Sequence, residues 1–305
     1  MTTKANSLDI LAIAAHRDDV EQTCGGTLLK MAQGGYRTGI LDLTQGEMGT
    51  RGTAEERARE AIEAAKILRV SWRQGLDIPD GRVENTWENR LKVARVIREQ
   101  RPRVVILPYW EGRHPDHYTT SKLGYEACFL AGLAKLEVDQ AVSSQYSAVG
   151  IQHSAFSQGE TSAAGVGPRA GASASTGVGA TAEGHGFSGA DRNPEAAALA
   201  AGSLPAHRPF KVIYATLYYD IRPTFVVDIT EQFETRFQSL IAYRSQFTDQ
   251  EAGKDFFPAQ ADIRARTESM ARFYGMMGGV TYAEPFLQKE VGLVEDLLQI
   301  PVKSI

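Results

Sequence analysis

The chain has 305 residues, 43% of them apolar, and a formal net charge of −4, which is ample length for one large domain. There is no basic excess of the kind a nucleic-acid surface shows, so nucleic acid is not an expected partner. No apolar run approaches the roughly 20 residues a bilayer crossing needs. Met1–Ser7 carries a single lysine and makes a poor signal peptide. Only Cys24 and Cys128 are present; they read as small core residues in helices, which suits a reducing cytoplasm.

The first apolar run, Leu8–Ala14, reads as a buried strand, and Cys24–Lys30 beyond it as a helix closed by Gly34-Gly35. Tyr36–Thr44 reads as a second strand, followed by the polar, glycine-rich loop Gln45–Gly52. Thr53 with Glu56 forms a capping box ahead of a helix whose apolar positions are Ala58, Ala61, Ile62, Ala65 and Leu68. Trp72–Ile78 is a weaker strand, ended by the turn Pro79-Asp80-Gly81. Trp87, Leu91, Ala94 and Ile97 mark a third helix, Arg103–Tyr109 a further strand, and another helix begins near His117. This alternation predicts an α/β fold, a doubly wound, Rossmann-like and mostly parallel sheet flanked by helices.

From about residue 141 to 209 the chain is dominated by Ala, Gly and Ser. Such a segment buries too little apolar surface to offset its ordering entropy, so it reads as a disordered insertion in one domain spanning 1–305. His153, His185 and His207, in or beside it, are discounted as ligands. Lys211–Tyr219 and Thr224–Ile229 read as strands, and Glu231–Tyr243 and Gln260–Tyr274 as helices, ahead of an irregular tail.

Two clusters carry chemistry. His16-Arg17-Asp18-Asp19 follows the first strand, and His114-Pro115-Asp116-His117 follows the strand at 103–109. Ligands of open α/β sheets bind beyond the carboxyl ends of strands. At a strand-to-helix corner His16 and Asp19, three apart, share one side. Asp18, about 100° away on helical geometry, stands beside the metal as a free base. One imidazole of the second cluster, His114 or His117, completes a two-histidine, one-carboxylate set. That set suits catalytic zinc and equally iron(II), and zinc lowers the pKa of a bound water to about 7. The plainer reading is that Asp18-Asp19 only caps the following helix.

His16-Arg17-Asp18-Asp19-Val20-Glu21 resembles the A-H-P-D-D-x-E signature of the LmbE-like, or PIG-L, N-acetylglucosaminyl deacetylases. Asp42–Thr53 and Arg113–His117 resemble that family's second and third blocks. Tyr243–Phe247 and Tyr282–Phe286 resemble its bacillithiol-biosynthesis branch. The resemblance implies His16, Asp19 and His117 as zinc ligands, Asp18 as general base and His114 as general acid. It further implies Asp116 as the group holding a histidine in its working tautomer, and Arg57, with Arg51 as a lesser candidate, as substrate contacts. Glu21 would support the metal site or lie on the helix surface.

Two departures stand out. Arg17 occupies the signature's proline position, loosening the turn and adding charge near the mouth. Ile263 stands where relatives place an oxyanion-stabilising tyrosine, leaving that task to zinc and His114, or to Tyr218 or Tyr274. The expectation is a zinc-dependent deacetylase of N-acetylglucosaminyl malate with a small amino-sugar substrate, in which a homo-oligomer is admissible. An amidase of the same family acting on thiol conjugates or another amino sugar is the nearer rival. A non-hydrolytic nucleotide-binding protein is the farther one, and it lacks a G-x-G-x-x-G cradle after the first strand.

Overall fold

The computed structural model describes residues 7–138, 151–152, 204–216, 221–248 and 258–300. In chain order these form β1 (Ile10–Ala14), α1 (Asp19–Thr23), α2 (Gly25–Gln33), β2 (Thr38–Asp42), α3 (Ala54–Ile67), β3 (Trp72–Gly75), α4 (Trp87–Gln100), β4 (Val104–Pro108) and α5 (Pro115–Ala131). There follow β5 (Ile151–Gln152), β6 (Lys211–Ala215), β7 (Phe225–Asp228), α6 (Phe233–Ile241), α7 (Arg244–Phe247), α8 (Gln260–Gly278) and β8 (Ala283–Leu287).

All eight strands join one sheet in the order β5-β3-β2-β1-β4-β6-β8-β7. The five strands from β3 to β6 are parallel, while β5, β8 and β7 pair antiparallel at the two ends. The sheet is thus mostly parallel and doubly wound, as the sequence predicts. Alternation along the strands divides the core. Leu11, Ile13, Leu41, Val105 and Leu107 face a cluster that includes Val93, Ile97, Leu123 and Ala127 of α4 and α5. Ile10, Ala12, Ala14, Ile40 and Ile106 face Val20, Leu28, Leu29 and Leu68 on the other side. Strand order reverses between β1 and β4, which opens a crevice beyond their carboxyl ends. The two sequence clusters follow these two strands.

Several elements differ from expectation. The tail read as irregular contains β8, which bridges β6 and β7. Its five residues include Glu284 and Pro285, and its partners are remote in sequence, so no local pattern announces it. Trp87, expected on the apolar face of α4, is 52% exposed because it opens the helix ahead of that face. Cys24 separates two helices instead of opening one. Both cysteines are buried and free, as expected. The Ala/Gly/Ser-rich stretch lies outside the described residues, apart from 151–152 and 204–209, as do His153 and His185. His207 bonds the Pro102 carbonyl through Nε2 at 2.7 Å.

Glu284 shows why β8 matters. Its carboxylate accepts hydrogen bonds from the Gly26 and Thr27 amides (2.9 and 2.7 Å) and the Thr27 hydroxyl (2.6 Å). It therefore caps the amino terminus of α2, where the helix dipole favours negative charge. A Cβ at Gly26 would stand 3.0 Å from Glu284 Oε1, so the absence of a side chain lets the carboxylate approach. Arg236 of α6 faces the same carboxylate at 3.3 Å. Glu284→Ala should leave a buried guanidinium uncompensated and cost about 3–5 kcal/mol, which a urea-denaturation series will read as a lowered midpoint.

Candidate metal centre

The short turn leaving β1 delivers His16 to the crevice. Its backbone amide donates to Asp19 Oδ2 at 2.9 Å, which folds the turn back on itself. α5 supplies the other half: His114 is its N-cap, Pro115 its first residue, and His117 lies in its first turn. His16 Nδ1 and His117 Nε2 stand 3.2 Å apart. Asp19 bridges them, with Oδ2 3.4 Å from His16 Nδ1 and Oδ1 3.2 Å from His117 Nε2.

With one donor atom from each, His16, Asp19 and His117 lie within 4.8 Å of one another, close enough to share an ion. Donors at about 2.0–2.2 Å from a tetrahedral ion lie roughly 3.3–3.6 Å from one another. The far side of His16 is also arranged: Nε2 faces Asp80 Oδ1 at 3.0 Å and Asp116 Oδ2 at 3.4 Å. The ring proton therefore belongs on Nε2, leaving Nδ1 bare toward the shared point. Burial alone would depress the His16 pKa, but Asp19 and hydrogen bonds to Asp116, Asp19 and Asp80 raise it to about 12. Asp19, despite burial, is held well below the usual carboxylate range by His117 and His16.

Of the two histidines left open by spacing, His117 is the one whose ring nitrogen meets both His16 and Asp19. A set of His16, His114 and Asp116 is also close enough to share an ion. However, both Asp116 oxygens already accept backbone bonds, Oδ2 from Gly81 (2.8 Å) and Oδ1 from Val83 (3.1 Å). The His114 ring lies 4.8 Å from that of His16 and stacks on His117 at 4.9 Å. Its Nδ1 accepts from the Asp116 amide at 3.2 Å, so a neutral His114 carries its proton on Nε2. Asp116 thus meets both histidines: its amide donates to His114 Nδ1 and its carboxylate faces His16 Nε2.

Asp18 stands apart from the three donors. Its φ of 144° is a strained conformation for a residue with a side chain, and it makes no side-chain cap bond to α1. The plain capping reading therefore fails for this residue. Arg57 Nη2 donates to Asp18 Oδ1 at 3.1 Å and Gln22 Nε2 to Oδ2 at 3.3 Å. Burial pushes the Asp18 carboxyl up to about 7 against the pull of Arg57.

Arg57 is buried and spends its other bonds on the Gly46 and Arg17 carbonyls. Gly46, at φ +73°, is required here, because any Cβ would fall 2.1 Å from Arg57 Nη1. Arg51 is buried as well and donates to the Gln246 and Thr248 carbonyls. Arg17, expected to bring charge to the mouth, is only 6% exposed and points inward. Glu21 is buried on Arg73 at 2.6 Å and does not lie on the helix surface.

A cleft of about 560 Å³ adjoins Asp18; its walls include Arg113, Thr216, Phe247, Ile263, Arg266 and Tyr274. Ile263 therefore reaches the wall where a tyrosine was sought, and Tyr274 shares it. Tyr218 lies outside the described residues. Sequence reading missed Asp80, whose Pro-Asp-Gly setting signalled only a turn.

Among known proteins, a family model described as PIG-L, GlcNAc-PI de-N-acetylase, matches residues 11–128. The chain is 37% identical over 135 residues to the diacetylchitobiose deacetylase of Thermococcus kodakarensis, a match covering 41% of this chain and 50% of that protein. It thus spans about half the length of that relative. It is 32% identical over 125 residues to the uncharacterized deacetylase YaiS of Escherichia coli, covering 39% of this chain and 67% of that one. The fold matches the conserved protein TT1542 from Thermus thermophilus with a TM-score of 0.65 at 32% identity, covering 94% of this chain and 98% of the other.

Calorimetric titration of chelator-treated protein with zinc should show one ion per chain. His16→Ala, Asp19→Ala and His117→Ala should each abolish that binding, whereas Asp80→Asn should weaken it by about 10–100-fold.

Proposed function

We propose, from the premise that this chain belongs to the PIG-L family, that it is a metal-dependent deacetylase. It hydrolyses the N-acetyl group of an acetylated amino sugar, releasing acetate and the free amine. The observation that carries the reading is the meeting of His16 Nδ1, Asp19 and His117 Nε2 within 3.4 Å of one another, with Asp18 beside them. A zinc ion, or iron(II), held by these three would polarise the amide carbonyl and acidify water.

The chain's own groups supply the rest. Asp18, fixed by Arg57 and Gln22, takes the proton of the attacking water. That proton then passes from Asp18 to the departing nitrogen, while His114 keeps its Nε2 proton and donates it as a hydrogen bond to the oxyanion. Asp116 and Asp80 hold His16 in the tautomer that leaves Nδ1 bare. Arg57, expected from the resemblance to touch substrate, serves in this reading to position Asp18. Arg51 belongs to the framework around Gln246.

Within this class we infer N-acetylglucosaminyl malate, the intermediate on the way to bacillithiol, as the substrate. What supports it is the likeness of Tyr243–Phe247 and Tyr282–Phe286 to that branch. Two cleft-lining arginines, Arg113 and Arg266, also suit the carboxylates of malate. A second reading, an acetylated disaccharide without anionic groups, is favoured by the likeness to a diacetylchitobiose deacetylase.

Acetate release separates these readings. Asp18→Asn should retain zinc while kcat falls by about 10²–10⁴-fold, and His16→Ala should lose both metal and turnover. The malate glycoside should exceed a neutral acetylated disaccharide in kcat/KM, and Arg266→Ala should erase the difference. Equal rates on the two substrates would remove the malate assignment and leave the deacetylase.

A further inference from the structure

Residue 17 lies between a metal-site histidine and the proposed base, at the position the family signature gives to proline. A proline there fixes one φ angle and restrains the residue before it. Arg17 offers no such local stiffness, yet the turn around it is firmly held, and the side chain shows how. Arg17 is 6% exposed. Its Nη1 donates to the Ala54 carbonyl at 2.7 Å and to the Gln45 carbonyl at 3.4 Å. Ala54 is the first residue of α3, and Gln45 lies in the loop leading to it. The guanidinium shares a small internal cavity with Asp42, Arg73 and Gly75, away from the cleft that adjoins Asp18.

α3 returns the contact. Arg57 Nη2 donates to the Arg17 carbonyl at 3.2 Å and to Asp18 Oδ1 at 3.1 Å. A closed circuit results: the side chain of residue 17 grips the start of α3, and α3 grips the carboxylate of residue 18. We propose that Arg17 is a positioning residue, replacing the local stiffness of proline with a tether from the metal-binding turn to α3 that keeps the strained Asp18 in place. Its effect on turnover rests on the deacetylase reading; the tether itself does not.

The Arg17 amide donates no hydrogen bond among the described residues, and its φ is not positive, so a proline here costs no backbone bond and meets no left-handed conformation. The test compares wild type, Arg17→Ala and Arg17→Pro by amide hydrogen exchange of the metal-free protein and by acetate-release kinetics. In Arg17→Ala, the amides of Asp19, Gln22, Glu56 and Arg57 should exchange about tenfold faster. Its kcat should fall about 10–100-fold through misplacement of the base, with KM held within about twofold. Arg17→Pro should restore kcat and the slow exchange of Asp19 and Gln22, while Glu56 and Arg57 stay fast.

Unchanged exchange in Arg17→Ala overturns the tether. A rise in KM at constant kcat makes Arg17 a substrate contact and overturns the positioning role, and failure of proline to restore kcat overturns the replacement argument. A wild type that releases no acetate from any acetylated glucosaminide, with the exchange pattern as expected, removes the deacetylase reading and leaves the tether standing.

Discussion

Beneath the turn that carries His16 and Asp19, Arg73 of β3 is clamped between two carboxylates. It meets Asp42 at the end of β2 in a bidentate pair, Nε to Oδ2 at 2.8 Å and Nη2 to Oδ1 at 3.0 Å. Its Nη1 meets Glu21 of α1 at 2.6 Å. All three are buried. Taking such charges out of water is costly, and a buried ion cluster adds little net stability over an apolar one of the same shape. What it enforces is geometry, because removing any member strands the others. Burial raises the Glu21 carboxyl even beside Arg73, so the cluster holds only when all of its partners are in place. Two strand ends and the helix that begins with Asp19 are thereby fixed to one another.

The carboxyl-terminal motifs belong to this same framework. Tyr243 reaches Glu21 Oε1 through its hydroxyl at 3.2 Å. Ser245 donates to Glu60 from both its amide and its hydroxyl (2.7 and 2.6 Å), fastening α7 to α3. Gln246 and Arg51 exchange side chain-to-backbone bonds across the loop that precedes α3. Arg236 binds the Glu21 carbonyl at 3.0 Å and the Gln22 carbonyl, closing the last turn of α1 from outside. Tyr243–Phe247, one of the stretches that resemble the bacillithiol branch, thus braces α1 and the loop and helix around Arg51 and Glu60.

Sequence legibility followed how local each feature is. The Thr53–Glu56 capping box forms as predicted, with both reciprocal bonds, because everything it needs lies within four residues. β1 and β4 were legible as unbroken apolar runs, and with them the two clusters at their ends. The choice between His114 and His117 was not, because it depends on how α5 is turned about its axis. Asp80 was hidden for a similar reason: a turn aspartate gains a partner only when the β3–α4 loop folds back over β1. The inward course of Arg17, Arg51 and Arg57 escaped notice because arginine is ordinarily a surface residue. Each is buried here on carbonyls or carboxylates that the chain supplies from tens of residues away.

The groups assigned to ion and proton handling, from His16 to His117, all come from the first 117 residues, the part that the family model covers. The opposite wall of the cleft is drawn largely from residues 236–285, on α6, α8 and β8. In the proposed reading the groups that handle the ion and those that face the sugar thus lie on different stretches of chain, joined by a few buried bonds. The two are not independent, because Arg236, Tyr243 and Glu284 of the later stretch also hold α1 and α2, so drift in the wall is tolerated only at positions that carry no such bond.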